Sequence, residues 1–243
     1  MPVDDSTVER RTFFSDPALD DELPTVNESF WSALIAHIER DGVQAPTAIL
    51  DIGCHTGGLL QQLSRRFRAA ALIGIEPLAA ARAAAAQRLS GAAERVTLLD
   101  PADWARVPAA GIDLITSHET LYLESDLRSF MGRVRSAIRN AGAAYIVLGC
   151  HAENPLWQQW KPQLITAGHR VYDHAPLEIM EAAASAGLLP SVQPLRRSGW
   201  VTYDPLRAEF RYPDVHTMFD HHYRHKLIFR LHIADDRTSA ARD

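Results

Sequence analysis

The sequence predicts an α/β fold in which a doubly wound, mostly parallel sheet carries helices on both faces. Apolar runs at 48–50, 71–75 and 112–115 show little alternation with polar residues, as expected of strands buried on both sides. Segments with helical spacing of apolar residues separate these runs. The first run leads into a glycine-rich turn, which is the connection at which such sheets bind ligands.

Length and charge favour one domain that acts on small molecules. The chain has 243 residues, and 25 Lys plus Arg against 30 Asp plus Glu give a net charge of −5. Because no long basic run is present, a nucleic-acid partner is not expected. No stretch approaches the roughly 18 apolar residues of a membrane span. The acidic start is unlike a signal peptide, and Cys54 and Cys150 have no metal-ligand spacing, so we expect a cytoplasmic protein with reduced thiols.

The N-terminal region is predicted to form an arm over residues 1–26, followed by one domain over 27–235 and a tail over 236–243. Asn27 is a suitable N-cap for a helix that runs to Gly42. In the arm, Phe13 and Phe14 either dock on the core or cover a substrate pocket. Two segments, 152–174 and 203–224, are predicted to be inserts that cover the substrate.

Three successive predicted strands each end on an acid. Asp51 and the glycine turn follow the first strand, Glu76 ends the second, and Asp100 ends the third, which spans 95–99. Helices are predicted at 59–67 and 77–89, the latter opening with Pro77 at a first-turn position. Because the carboxyl ends of parallel strands meet at one edge, the acids are expected to surround a ligand. Alternatively, each acid caps the helix that follows it.

The fourth and fifth predicted strands end next to imidazoles. The strand at 112–117 is followed by His118, Glu119 and Tyr122, and the strand at 144–150 is followed by His151. A histidine can accept a proton near neutral pH, so both are candidate general bases, although a structural hydrogen bond explains either one equally well. Ser125 is the expected cap of the next helix.

The glycine turn resembles the first motif of the class I S-adenosylmethionine-dependent methyltransferases, an acid followed by Gly-x-Gly-x-Gly. Here the motif is Asp51-Ile52-Gly53-Cys54-His55-Thr56-Gly57, with His55 at the middle glycine. The resemblance implies a Rossmann-like sheet of seven strands with an antiparallel edge strand. It also implies S-adenosyl-L-methionine as cofactor, with S-adenosyl-L-homocysteine as product. Glu76 would bind the ribose, Asp51 and the loop the methionine part, and Asp100 with the Ala102 backbone the adenine. The complete expected cofactor set is Asp51, Gly53, His55, Gly57, Glu76, Pro77, Asp100, Ala102 and Ser117.

The second half of the chain contains the aromatic candidates for substrate binding. Trp157 and Trp160 lie three residues apart, so on a helix they share a face that belongs either to the core or to a lid. A helix at 176–188 and strands at 192–201 and 226–233 are expected after them. Histidines between His216 and His225 include i,i+4 pairs, but no second ligand cluster accompanies them, so a solvated helix or a polar pocket wall is favoured over a metal site.

Together these features predict methyl transfer to nitrogen or oxygen of a small molecule, one that is aromatic or heteroaromatic. His118, Glu119 and His151 are the catalytic candidates, and Phe14, Tyr122, Trp157, Trp160 and Trp200 are the substrate-binding candidates. The expected assembly is a monomer or a homodimer. Two alternatives are a nucleotide-binding oxidoreductase with the same sheet, whose fingerprint requires glycine at position 55, and a binding module that has lost its chemistry.

Overall fold

The computed structural model describes residue 13 and residues 17–195, 199–201, 203 and 211–233. These residues form a seven-stranded sheet of order β3-β2-β1-β4-β5-β7-β6, in which β7 runs antiparallel to both its neighbours and the other paired strands are parallel. The predicted fold class is therefore confirmed. The strands are β1 Ala48–Ile52, β2 Ala71–Ile75, β3 Val96–Leu99, β4 Ile112–His118, β5 Ile138–Leu148, β6 Leu188–Pro194 and β7 Leu227–Ile233.

Helices cover both faces of this sheet. Residues of α1 and α2 pack on one face, and residues of α4, α5 and α6 pack on the other, so that each face has its own apolar core. This two-sided burial explains why the parallel strands read as continuous apolar runs. The helices in the described part of the chain are α1 Pro17–Arg40, α2 Gly58–Arg66, α3 Ala79–Arg88, α4 Leu127–Ala137, α5 Trp157–Thr166, α6 Pro176–Ser185 and α7 Val215–Asp220. A π-helical turn, His221–His225, continues α7.

The first helix begins ten residues before the predicted start, so the prediction that Asn27 caps it is wrong. Asn27 lies inside α1, where its side-chain amide donates to the Leu23 carbonyl. Pro17 at the first position and the acids at 20–22 favour a helix start, because proline suits the first turn and negative charge suits the helix N-terminus. Helix α1 therefore crosses the boundary at residue 26 that we predicted for the arm.

Three other boundaries differ from the prediction. The cap of α4 is Asp126 rather than Ser125, because the Asp126 carboxylate accepts the Ser129 N–H at 3.0 Å. Strand β5 starts six residues early, at Ile138. Strand β6 starts at Leu188, directly after Gly187, and forms the outer edge of the sheet, with Pro190 and Pro194 in it.

The register of β1 with its neighbours brings the strand ends together. Asp51 lies opposite Gly74 of β2 and Thr116 of β4, and Ile75 of β2 lies opposite Leu99 of β3. The residues after these strands therefore emerge at one edge of the sheet. Among the described helices, none is long and apolar enough to cross a membrane.

Candidate functional site

The turn between β1 and α2 is held tightly against β2. The N–H groups of Gly53 and Cys54 both donate to the Ile75 carbonyl, at 2.8 and 3.0 Å. Gly53, His55 and Gly57 all have positive φ, at 78°, 46° and 79°. His55 adopts the left-handed conformation that histidine tolerates better than most residues. At Gly53 a side chain has no room, because an added Cβ would lie 2.1 Å from Cγ2 of Thr120.

Glu76 connects this turn to helix α3. It is buried, and its two carboxylate oxygens accept the backbone N–H groups of His55 at 3.0 Å and Leu78 at 2.8 Å. Burial raises the pKa of Glu76, and these hydrogen bonds partly oppose the shift. A carboxylate has about four lone-pair positions, so the two that remain can accept ribose hydroxyls. The Leu78 contact is also one that a helix-capping acid makes, so the capping alternative remains open.

Asp100 is the third acid of the group, and Arg82 holds it in place. Its Oδ1 accepts the Ala102 N–H at 3.0 Å, and its Oδ2 pairs with Arg82 Nη1 at 3.0 Å. The same Nη1 donates to the carbonyls of Glu76 and Pro77. Our sequence reasoning missed Arg82. Its place one turn into α3 is the available signal, because helical side chains lean toward the helix N-terminus.

Glu119 lies just after β4, at the carboxyl end of that strand. Its Oε1 accepts the Gly149 N–H at 2.6 Å and pairs with Lys226, and its Oε2 accepts the Cys150 N–H at 3.3 Å. Burial works against ionisation, but the charge and hydrogen bond of Lys226, together with His118 and His221, outweigh it and lower the pKa of Glu119 to about 2. The carboxylate is therefore ionised and its contacts are with the protein itself.

His118, the first catalytic candidate, is partly buried between the rings of Phe30 and Trp31. Its Nε2 is buried and has no hydrogen-bond partner among the described residues. Burial, followed by the charge of Lys226, lowers the pKa of His118 to about 3. The imidazole is therefore neutral at physiological pH and is a weak base.

His151, the second candidate base, is almost fully buried. Its Nε2 lies 2.8 Å from the His225 carbonyl oxygen, which can only accept, so Nε2 carries the proton and Nδ1 has the lone pair. Within the described chain, Nδ1 has no partner. Burial is the main reason that the pKa of His151 is lowered.

Sequence reasoning also missed the polar groups that accompany these histidines. Asn154 donates to the Gly149 carbonyl at 2.6 Å and lies 3.1 Å from Nδ1 of His221. Both Asn154 and His221 are buried, and so is Lys226. The histidines at 221 and 222 belong to the interior rather than to a solvated helix. The described residues contain no group of three or more potential metal ligands.

The predicted aromatic substrate residues do not line one cavity. Trp157 and Trp160 are in the core, where Trp157 donates to Asp173 at 2.5 Å and packs on the ring of the buried Tyr122. Of the two alternatives for their shared helix face, core or lid, this placement corresponds to the core. Trp200 is 94% exposed, and Phe14 lies outside the described residues.

Phe13, next to Phe14 in the arm, contacts the glycine turn. Its ring meets the His55 ring edge-on at 6.3 Å and lies 4.1 Å from the ring of His169, which follows α5. His169 also bonds the Phe13 carbonyl, at 2.6 Å. This part of the arm therefore connects the turn to the insert at 152–174.

Known proteins resemble this chain in both sequence and fold. Residues 49–142 match the family described as "Methyltransferase domain". A trans-aconitate 2-methyltransferase from Acidovorax sp. (strain JS42) is 27% identical in an alignment of 176 residues that covers 69% of this chain and 64% of that protein. The match therefore spans less than two thirds of that relative.

Two solved structures share the fold at low sequence identity. A chain from the complex of the Haloferax volcanii Trm112 methyltransferase activator has a TM-score of 0.72 at 16% identity, over 93% of this chain and 98% of that one. The geranyl diphosphate C-methyltransferase of Streptomyces coelicolor A3(2), solved with S-adenosyl-L-homocysteine, has a TM-score of 0.66 at 17% identity, over 93% and 90%.

Proposed function

We propose that the chain is a class I methyltransferase that uses S-adenosyl-L-methionine and transfers the sulfonium methyl group to a small acceptor molecule. The observation that carries this proposal is the set of three acids, Asp51, Glu76 and Asp100, at or just beyond the ends of adjacent parallel strands around the glycine turn. The sheet order also differs from the 3-2-1-4-5-6 order of dinucleotide-binding oxidoreductases, because β7 is inserted antiparallel between β5 and β6.

The cofactor is proposed to lie across the ends of β1, β2 and β3. Glu76 accepts the ribose hydroxyls, the glycine turn and Asp51 hold the methionine part, and Asp100 with the Ala102 backbone holds the adenine. Pro77 and Ser117 border the same region. The two lone-pair positions that the described hydrogen bonds leave open on Glu76 support this orientation. The bound sulfonium supplies an electrophilic methyl group, so the protein has to align the acceptor and exclude water.

The acceptor is proposed to be a small aromatic or heteroaromatic molecule that is methylated on nitrogen or oxygen. Rings do lie at this end of the sheet, although they differ from those predicted: Phe30 stacks on His222 at 5.1 Å, and His118 lies beside Phe30. In this proposal His118 or His151 accepts the proton that the nucleophile loses.

A small carboxylic acid is the second candidate acceptor. Glu119 is ion-paired with Lys226 and bonded to two backbone N–H groups, and His118 is a weak base. Both features favour an oxygen nucleophile that is already ionised at neutral pH. A carboxylate has this property. The relative from Acidovorax is named for trans-aconitate, which is an acid of this kind.

Titration calorimetry followed by a turnover assay tests the proposal. We expect S-adenosyl-L-methionine and S-adenosyl-L-homocysteine to bind with micromolar affinity (a Kd of about 1 μM corresponds to about −8 kcal/mol) and NAD not to bind. Methyl transfer from labelled cofactor is then measured on phenols, N-heterocycles and di- and tricarboxylic acids. Binding of NAD with no heat from either sulfur nucleotide would overturn the assignment. Cofactor binding with no turnover on any acceptor would favour the non-catalytic module.

A further inference from the structure

Lys226, at the start of β7, has a buried ammonium group at the acceptor-side end of the sheet. Its side chain is 5% exposed. The ammonium pairs with Glu119 and lies 4.4 Å from the centroid of the Phe30 ring. Burying a lysine is costly unless its charge is paired. The buried charge of Lys226 is therefore stable only while it is paired with Glu119.

Glu119 joins the ends of three strands. It follows β4 directly, its carboxylate accepts the N–H groups of Gly149 and Cys150 after β5, and it pairs with Lys226 before β7. The Glu119 backbone has φ 55°, a left-handed conformation that is strained for a non-glycine residue. Because the contacts of the Glu119 carboxylate offset this backbone strain, they hold the turn after β4 in its conformation.

This turn touches the cofactor loop through the next residue. The Thr120 methyl group fills the space beside Gly53, since a Cβ added to Gly53 would lie only 2.1 Å from it. The Thr120 hydroxyl bonds the Ser117 hydroxyl. A continuous series of contacts thus runs from Lys226 through Glu119 and Thr120 to Gly53. His118, the last residue of β4, directly precedes this turn.

We propose that Lys226 is a positioning residue for methyl transfer, which acts through Glu119 to fix the turn at 118–120 against the cofactor loop. This inference rests on the proposed function. A displacement of about 1 Å between reacting groups lowers a rate by about 10²-fold. Loss of Lys226 therefore affects the rate more than it affects cofactor affinity, since the three acids of the cofactor site do not contact Lys226 in the described hydrogen bonds and ion pairs.

The kinetic test compares Lys226→Met and Lys226→Arg with Arg139→Met, which removes another ion pair, that of β5 with Asp113 near the start of β4. We expect Lys226→Met to lower kcat by about 10- to 100-fold while the dissociation constant of S-adenosyl-L-homocysteine changes by less than about threefold. Lys226→Arg keeps the charge and should recover part of the rate. Arg139→Met should leave kcat unchanged. Combining Lys226→Met with Glu119→Gln should lower kcat no further than the single changes.

A second measurement needs no acceptor. Hydrogen exchange in the S-adenosyl-L-homocysteine complex should be faster at residues 117–122 in Lys226→Met than in wild type, and unchanged there in Arg139→Met. A folded Lys226→Met variant with wild-type kcat, or with wild-type exchange in this turn, would overturn the proposal. Failure of the proposed function itself would give a different result. The wild-type protein would then transfer no methyl group, while the exchange difference between Lys226→Met and wild type would still be observed.

Discussion

Asp51 of β1 and Thr116 of β4 lie opposite each other on adjacent parallel strands, and the Thr116 hydroxyl donates to Asp51 Oδ1 at 2.7 Å. Both residues are buried. Burial raises the pKa of Asp51 to about 7; the Thr116 hydrogen bond opposes the shift and the nearby Glu76 charge adds to it. An acid in the proposed cofactor site therefore has a pKa near neutral pH.

Asp51→Asn should change how stability depends on pH. Because the pKa of folded Asp51 is raised, its protonated form stabilises the fold below the ordinary value of 3.8, and this contribution is lost as pH rises toward about 7. Urea unfolding at pH 5 and pH 8 measures this effect. The free energy of unfolding of the variant, relative to that of wild type, should be higher at pH 8 than at pH 5. The control is Asp113→Asn, since Thr47 and Ala48 hydrogen bonds and Arg139 lower the pKa of Asp113 despite its burial. Its difference from wild type should stay constant over this pH range.

Glu76→Ala should weaken binding of S-adenosyl-L-homocysteine by about 1–3 kcal/mol, because buried ribose hydroxyls would lose a charged acceptor. Calorimetry on the folded variant measures the effect. The matched control is Asp126→Ala, which removes the cap of α4 and should cost about 0.5–2 kcal/mol of stability without changing affinity. Equal behaviour of the two variants would mean that Glu76 only caps α3.

Three glycine variants separate backbone strain from steric overlap. Gly42→Ala introduces positive-φ strain in open space and should cost about 1–2 kcal/mol. Gly53→Ala adds overlap with Thr120 to the same strain, so it should cost more and should also weaken cofactor binding. Gly91→Ala has open space and no positive φ, and should be neutral or slightly stabilising. Thermal unfolding and calorimetry should reproduce this order. A Gly53→Ala protein as stable as Gly42→Ala would show that the turn can move to accommodate the added Cβ.

His118→Ala should lower kcat while leaving cofactor affinity unchanged. The expected loss is near the lower end of the range of about 10²–10⁴-fold for a general base, because an imidazole with a pKa of about 3 is a weak base. Since His118 protonates only near pH 3, it should give no acid limb between pH 5 and 8. Single-turnover transfer against pH measures both effects, with His232→Ala, near the other end of β7, as control. An unaltered rate and profile would make His118 structural and would direct attention to His151.

Trp157→Ala should destabilise the fold by about 3–5 kcal/mol, since it removes a fully buried indole. Trp200→Ala should change stability by less than about 0.5 kcal/mol, since Trp200 is exposed. Chemical unfolding measures both. If Trp157→Ala kept its stability but raised the KM of the acceptor, the lid alternative would apply to this helix after all.

The grouping of the strand-end acids could be predicted because its signals are local. Apolar runs, glycines and strand-end acids stand next to each other in the chain, and the sheet brings Asp51, Glu76 and Asp100 to one edge. The contacts of Glu119 depend on residues that are distant in sequence. Lys226 lies 107 positions from Glu119, and no local pattern relates the two.

The tryptophans illustrate a second limit of sequence reasoning. A spacing of three places Trp157 and Trp160 on one helix face, but the spacing is the same whether that face meets the core or a ligand. Their partners, Tyr122, Asp173 and His221, decide the question, and all of them are distant in sequence or in another element.

The prolines of β6 affect how this sheet meets other chains. A proline in a strand is tolerated where its missing N–H would face solvent, so the outward side of β6 lacks donors at Pro190 and Pro194. The opposite edge, β3, is only four residues long. A free sheet edge with a full set of donors and acceptors can recruit a strand from a neighbouring molecule, which is the first step of edge-to-edge aggregation. Both borders of this sheet are poor templates for that addition, and the protein is expected to resist aggregation by this route.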